Sequence, residues 1–298
     1  EFVVRDVMNN NVKSITQGTA STGAITALIS SGQTLLPILN QDQLPIASLS
    51  KPDLFRRLGI TWKDSYEQFF SLEQQQTLLS SLATQDLPHL QSELRTIYAE
   101  SSIAQAVNMM IELGLDSLLV VDRSGEVIGL FTIHNALKAA YNTYKTNANN
   151  KLQPLHLSMQ SNLSTLPVQV VLSDVVQRVA YNAMHYVVLV DEFVPRMYFD
   201  ELTLLQHMQP ALRIDFLNCI SQPTPIFTPE LLAELNNLTI SYQKPLTIVQ
   251  SASELEAIAM MLEHKQNSLL VVSDDGRLSG LVTRQGLLRS LLQASASN

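Results

Sequence analysis

The stretch SLLVVDRSGEVIGLFT (117–132) returns 151 positions further on as SLLVVSDDGRLSGLVT (268–283). Each copy is an apolar run, a polar turn containing Gly, a second apolar run and a closing Thr, the pattern of a β-hairpin. With that template, two more copies emerge: LPILNQDQLPIASLS, ending at Ser50, and VVLVDEFVPRMYFD, ending at Asp200. From the polar residue closing the first strand to the end of the second, Asn40–Ser50, Asp122–Thr132 and Ser273–Thr283 each span ten steps. Asp191–Asp200 spans nine, so its turn is one residue shorter. A fourfold repeat constrains the fold more than any single motif.

An amphipathic helix pattern precedes each hairpin, at 20–32, 101–114, 172–184 and 251–265. In the second, Ile103, Val107, Met110 and Ile111 fall at helical spacing, with Ser101 and Ser102 as N-cap candidates. Leu255, Ile258, Met261 and Leu262 do the same in the fourth. Short extended pieces such as NVKSI, LRTIY and LTIVQ stand ahead of the helices, and a second helix follows each hairpin. The unit is strand–helix–strand–strand–helix, four times over. Hairpins one and three end 150 residues apart and hairpins two and four 151, so a two-repeat module has been duplicated. This places a first module at 1–145, with repeats at about 1–58 and 94–145. The second falls at 155–298, with repeats at about 157–208 and 239–295. The boundary lies in the polar stretch NTYKTNANNKLQPLH (142–156). A single doubly wound parallel sheet would need helical crossovers between its strands, whereas turns such as DRSGE and DDGR join strand pairs directly. The fold class is therefore α+β, built of small β-α-β-β-α units.

Composition narrows the function classes. With 46 % hydrophobic and 15 % charged residues, the 298-residue chain is globular rather than disordered. No apolar run approaches the roughly 18 residues that span a bilayer. The opening EFVVRDVMNN has no signal-peptide pattern, and its lack of an initial Met reads as a fragment or a processed chain. A net charge of −8 with scattered Lys and Arg argues against nucleic acid, which needs a concentrated basic face. The single cysteine, Cys219, excludes an internal disulfide and points to a reducing, cytoplasmic setting with a buried, inert thiol. No nucleophile elbow, P-loop, HExxH or paired-Cys motif is present, and the six His show no i, i+4 pairing for a metal. The chain is thus not expected to be an enzyme. Its acidic residues read as turn and solvent-face groups, and Met109–Met110 and Met260–Met261 as core or interface. The interlude 61–83 reads as helical, with Trp62, Tyr66, Phe69 and Phe70 forming an apolar stripe.

The first repeat resembles a cystathionine-β-synthase (CBS) domain through its VRDVM lead-in, the LPIL strand with its proline and the SxxDL start of the second helix. The second and fourth repeats resemble it through SLLVVD…GEVIGLFT and SLLVVS…GRLSGLVT, and the third, VVLVDEFVPRMYFD, more weakly. The resemblance omits mainly residues 59–93, 142–160 and 208–240. It implies two Bateman modules, packed in a disc-like manner, whose clefts bind an adenine nucleotide (AMP, ADP or ATP) and regulate an attached domain or a partner protein. No covalent cofactor is implied. A homodimer is a further expectation, because small half-buried sheets need a neighbour.

The resemblance also implies site residues. The ligand-gripping signature, Ser or Thr, two residues, then Asp, is kept as Ser50 and Asp53. The hydroxyl would face a phosphate and the carboxylate would accept from both ribose hydroxyls. The same two residues also suit a plain helix N-cap and a first-turn carboxylate. The second repeat offers Thr132 and Asn135, the fourth Thr283 and Arg284 with Gly286 in the carboxylate's place. The third offers Asp200 and Thr203, where a leading carboxylate would repel a phosphate. First-strand positions add Lys13 and Ser14 in repeat one and Ile97 in repeat two, with Asp116 just before the second-repeat hairpin. Degeneration of the signature at Asn135, Asp200 and Gly286 leaves a ligand-free scaffold for dimerisation or partner docking as the alternative.

Overall fold

A computed structural model describes residues 2–146, 154–242 and 244–296, which cluster into two compact units, Glu1–Asn135 and Ala136–Asn298. The polar boundary stretch lies partly outside the described residues. In the first unit a short lead-in helix α1 (Val4–Val7) precedes β1 (Ile15–Thr16), α2 (Ser21–Ser31), β2 (Leu35–Leu39), β3 (Pro45–Ser50) and α3 (Lys51–Arg57). An interlude follows: a 3₁₀ turn (Asp64–Phe69), α4 (Leu72–Leu79), a second 3₁₀ turn (Ser80–Thr84) and α5 (Leu87–Leu90). The second repeat is β4 (Thr96–Tyr98), α6 (Ile103–Leu113), β5 (Ser117–Val121), β6 (Val127–Thr132) and α7 (Ile133–Thr146), the last running across the division between units.

The second unit repeats the plan. A 3₁₀ turn (Leu155–Leu157) leads to β7 (Thr165–Pro167), α8 (Leu172–Tyr181), β8 (Tyr186–Asp191), β9 (Val194–Asp200) and α9 (Glu201–Leu205). Helices α10 (Pro210–Ile220) and α11 (Pro229–Asn236) are inserted before β10 (Thr247–Val249), α12 (Glu254–Glu263), β11 (Ser268–Val272), β12 (Leu278–Thr283) and α13 (Arg284–Ala296).

All four sheets have three strands in the order first, second, third. The first pairs in parallel with the second across the helix, and the second pairs antiparallel with the third across the turn. The central strands read as apolar runs because they are buried: Leu118, Leu119 and Val120 are 0 % exposed. The helices supply the matching face, with Ala24, Ile25 and Leu28 of α2 equally buried. Ser102 caps α6 as expected, exchanging hydrogen bonds with Gln105. Turns in repeats two and four place Gly125 and Gly276 at φ +88° and +82°, next to a bulge in each hairpin.

The lead-in of each unit packs on that unit's second repeat rather than its first. Asn9 N donates to Leu130 O (2.9 Å) and Leu130 N to Asn9 O (2.8 Å); Gln160 and Leu281 exchange the same pair. Reciprocally, Ser92, ahead of β4, pairs with Ser48 of β3. This exchange of edge partners joins the two repeats of the first unit, since isolated three-stranded sheets leave edges open.

One expectation needs correction. The acidic residues are not all turn and solvent-face groups: Glu254 is 1 % exposed and Glu201 6 %. The buried face of α12 is Glu254, Ala257, Ile258 and Met261, so it includes the first helical residue, a position sequence patterns assign to solvent. The interlude is helical as expected, in short 3₁₀ and α pieces. Its aromatic residues still pack as a group, with Trp62 stacked on Phe55 (ring centroids 4.0 Å) and edge-on to Tyr66 (5.9 Å). Phe70 is buried with them and Phe69 half-buried, and the interlude helices lie against α2. Cys219 is buried; its thiol donates to Ile226 O (3.2 Å) and burial raises its pKa.

Candidate functional site

In the first repeat, β1 and β2 start, and β3 ends, at one end of the sheet. That end gathers Lys13, Ser14, Thr34, Ser50 and Lys51, with Lys51 N donating to Thr34 O (2.8 Å). The proline in the central strand shapes it. At the equivalent points of repeats two and three, Leu119 N donates to Arg95 O (3.3 Å) and Val188 N to Ser164 O (2.9 Å). Pro37 has no N–H to give. The Gln33 side chain, 9 % exposed, takes over. Its amide donates to Lys13 O (3.2 Å) and Leu35 O (3.0 Å), and its carbonyl accepts from Lys13 N (2.7 Å). Ladder pairing therefore begins only at Ile15, and the side chains of Lys13 and Ser14 remain exposed.

Ser50 caps α3, accepting from Asp53 N at 3.4 Å. The Asp53 carboxylate is held at both oxygens: Oδ1 pairs with Arg56 of the same helix (2.5 Å) and Oδ2 accepts the Ser92 hydroxyl (2.5 Å). The carboxylate is thus set to accept a hydroxyl, and the lead-in of repeat two supplies one. Lys51, which intervenes in the motif, is fully buried and paired with Glu67 of the interlude.

The second repeat brings its own end to the same region of the unit. Asp116 holds the position of Thr34, and its carbonyl accepts from Ile133 N (3.3 Å). Asp64 of the interlude joins the two ends, accepting the Thr34 hydroxyl (2.6 Å). Asp116 is exposed by surface area, yet protein crowds its carboxyl. That desolvation, then the charge of Asp64, raises its pKa, with Lys63 opposing; the exposure keeps the effect modest. Thr132 and Asn135 cap each other: Asn135 Oδ1 accepts from Thr132 N (2.9 Å) and Oγ1 (2.8 Å), and Thr132 Oγ1 accepts from Asn135 N (3.2 Å). Ile97 is half-buried in β4.

In the second unit, Thr283 Oγ1 accepts from Gly286 N (3.1 Å). Arg284 is half-buried; its Nε donates to Gln266 O (3.0 Å), and desolvation lowers its pKa. Asp200 caps α9 in a capping box with Thr203. Tyr186 stands where the other repeats carry Leu35, Ser117 and Ser268, and its hydroxyl accepts from Ser164 N (3.3 Å). Tyr198 lies alongside it (6.1 Å, 19°) with its hydroxyl on Ser268 (3.1 Å). Burial lifts both phenols, Tyr198 far above the usual range with a further push from Asp200. With Val188, Leu270 and Leu281 these rings fill the space where the sheets of repeats three and four meet.

The structure thus brings Lys13, Ser14, Ser50 and Asp53 to one end of the first sheet, and Asp116 and Thr132 to the matching end of the second. Thr283 and Arg284 belong to the other unit. Gln33, Ser92 and Asp64 were not foreseen. Pro37 in a strand was the available signal for Gln33, because its missing donor demands a substitute; Ser92 and Asp64 lie outside the repeats, where nothing in the pattern marks them. Among the described residues no group of three or more His, Cys, Asp and Glu is placed to hold a metal ion, and no helix is long and apolar enough to cross a membrane.

A β-α-β-β-α repeat with a capped second helix, present four times, defines a class, and sequence comparison agrees with it. The CBS domain profile matches residues 85–142 and 240–293, the second and fourth repeats. The chain therefore carries CBS domains at its second and fourth repeats, and its first and third repeats share the same three-stranded topology. Two solved structures share the fold over nearly the whole chain. One is a Methanocaldococcus jannaschii protein proposed to be an archaeal homologue of γ-AMPK (TM-score 0.57, 13 % identity, 97 % of this chain and 99 % of that one). The other is an uncharacterized conserved protein from Pyrococcus horikoshii (TM-score 0.59, 15 % identity, 97 % and 100 %). Among curated proteins, the 5′-AMP-activated protein kinase subunit gamma-3 of Sus scrofa is 29 % identical over 104 residues, 34 % of this chain. Its Bos taurus counterpart is 28 % identical over the same length. The match spans about a fifth of the length of these relatives (20 % and 21 %).

Proposed function

We propose that the chain is a regulatory module that takes an adenine nucleotide of the AMP, ADP or ATP class in its first unit and passes occupancy to an attached domain or a partner protein. The observation that carries this reading is the Asp53 carboxylate, which already accepts a hydroxyl from Ser92, beside the capping hydroxyl of Ser50. A ribose diol offers the same kind of donor in duplicate, and the exposed Lys13 stands at the same sheet end as a cation for phosphate. The names of the curated relatives, subunits of an AMP-activated kinase, support the choice of adenine nucleotide.

Calorimetry of the full chain with AMP, ADP and ATP in turn tests it. Saturable binding of at least one is expected, with ligand at 100 times its Kd adding about 2.7 kcal/mol of stability. Asp53→Ala should weaken binding about tenfold or more, since hydrogen bonds to a charged acceptor contribute about 1.5–3 kcal/mol. No heat and no thermal shift with any of the three at millimolar concentration would remove the proposal.

A scaffold without ligand is the second reading. It is favoured by how Asn135, Asp200 and Thr283 spend their polar groups on their own helix starts and how Tyr186 and Tyr198 fill the second unit. A scaffold would keep its partner in Asp53→Ala and show no nucleotide-dependent change in that binding.

A further inference from the structure

The bridges Val3–Ser102 and Asn9–Leu130 in one half, and Pro154–Ser253 and Gln160–Leu281 in the other, fix the register between halves at a constant offset. On that register Val7 corresponds to Ser158, Ile103 to Glu254 and Ala139 to Ser290. Three apolar residues in one half are matched by a carboxyl and two hydroxyls in the other. Random surface drift does not explain this, because Glu254 is 1 % and Ser158 9 % exposed.

Neither oxygen of Glu254 has a partner in full hydrogen-bond geometry, although the hydroxyls of Ser290 and Ser158 lie close enough to act on it. Ser158 has one proton, and it is committed: Oγ donates to Leu155 O (3.1 Å). With its proton on Leu155 O, Ser158 faces Glu254 as an acceptor, and a carboxyl that keeps its proton supplies the matching donor. An ionised Glu254 would have at most the hydroxyls of Ser290 and Ser158, the latter drawn off Leu155 O, to stabilise its charge in a desolvated site. Burial accordingly outweighs both hydroxyls and raises the carboxyl's pKa. No charged group acts on it from the elements around it. His156 of the lead-in, Glu256 of α12 and Arg284 and Arg289 of α13 make no contribution, and His156, Glu256 and Arg289 are exposed.

We propose that Glu254, Ser158 and Ser290 form a proton-operated clasp that, while Glu254 is a neutral acid, ties the lead-in, the start of α12 and α13 together within the second unit, and that opens when Glu254 ionises. The sign follows from linkage. A folded-state pKa above the unfolded one makes the stabilisation full below the unfolded carboxyl's value, about 4.3, and progressively lost as pH rises through the folded value.

Hydrogen exchange on the full chain tests it. Opening of segments 154–160 and 284–291 is followed by mass spectrometry from pH 5.5 to 8.5, corrected for intrinsic rates, with β5 of the first unit as reference. In the native chain, opening should increase with pH, by up to tenfold per unit for one linked proton. Glu254→Gln, which keeps a neutral donor, should make the two segments independent of pH. The triple variant Ser158→Val, Glu254→Ile, Ser290→Ala, which installs the first half's residues, should do the same and serves if Glu254→Gln does not fold. A native profile without pH dependence overturns the proposal. So does a slope that persists in either variant, or a Glu254→Gln chain that has lost protection across the whole range.

Discussion

Asp64 illustrates how a side chain outside the repeats sets the chemistry inside them. It holds the Thr34 hydroxyl at the end of the first sheet and, by its charge, raises Asp116 at the end of the second. A nucleotide phosphate approaching that region meets two carboxyls. Asp64→Asn keeps an acceptor for Thr34 and removes one charge, so nucleotide binding should tighten about fivefold, the effect of roughly 1 kcal/mol from one charge in a wet site. Calorimetry at low salt and at 0.3 M salt checks this, and the gain should shrink at the higher salt. The raised Asp116 acts in the same direction: its repulsive charge disappears as pH falls through its elevated pKa, so anion binding should strengthen on mild acidification. Ser50 and Asp53 were legible because a hydroxyl and a carboxylate at that spacing follow a recognisable strand. Asp64, Ser92 and Gln33 were not, since each acts across 30, 39 and 20 residues of chain with no local pattern to announce it.

Hairpins were the most legible elements, and their turns show why one differs. Repeats two and four use Gly at the left-handed turn position, and repeat one places Gln43 there at φ +62°. The shorter third turn is a two-residue loop with Glu192 at φ +48° and Phe193 at φ +68°, both residues that disfavour this region. Its carbonyl at Phe193 accepts from Leu278 N (2.8 Å), and the Phe ring is 71 % exposed, so packing does not explain the choice. Replacing Glu192–Phe193 by Asn–Gly should stabilise the second unit by about 1 kcal/mol, read as a higher denaturant midpoint with unchanged slope. A lower midpoint would mean that the exposed ring has a partner within the fold. Helix existence was equally legible from periodicity. The buried face of α12 was not, because Glu254 carries a polar signal into an apolar environment, whereas the aromatic stripe of the interlude was legible and packs as a cluster on 3₁₀ and α pieces.

Across the molecule, duplication shows what each half conserves and what it changes. Strands β6 and β12 each carry a glycine, in VIGL (127–130) and LSGL (278–281). In both halves the glycine is where the lead-in crosses: a Cβ on Gly129 would lie 2.3 Å from Met8 Sδ, and one on Gly280 2.0 Å from Met159 Cγ. The methionine of the lead-in and the glycine of the strand are therefore one feature separated by over a hundred residues. The two halves differ in what lies behind the methionine. A Cβ on Gly280 would also come within 2.9 Å of Gln160 O, whereas on Gly129 the corresponding Asn9 O is 3.2 Å away. Methionine is flexible and can turn aside; a backbone carbonyl held in the Gln160–Leu281 bridge cannot without giving up hydrogen bonds. Gly129→Ala should cost about 1 kcal/mol and Gly280→Ala about 2–3 kcal/mol, within the usual range for overpacking. Equilibrium denaturation followed by hydrogen exchange in β6 and β12 separates the two, and equal losses would show that the methionines, rather than the carbonyls, limit the approach of the lead-ins.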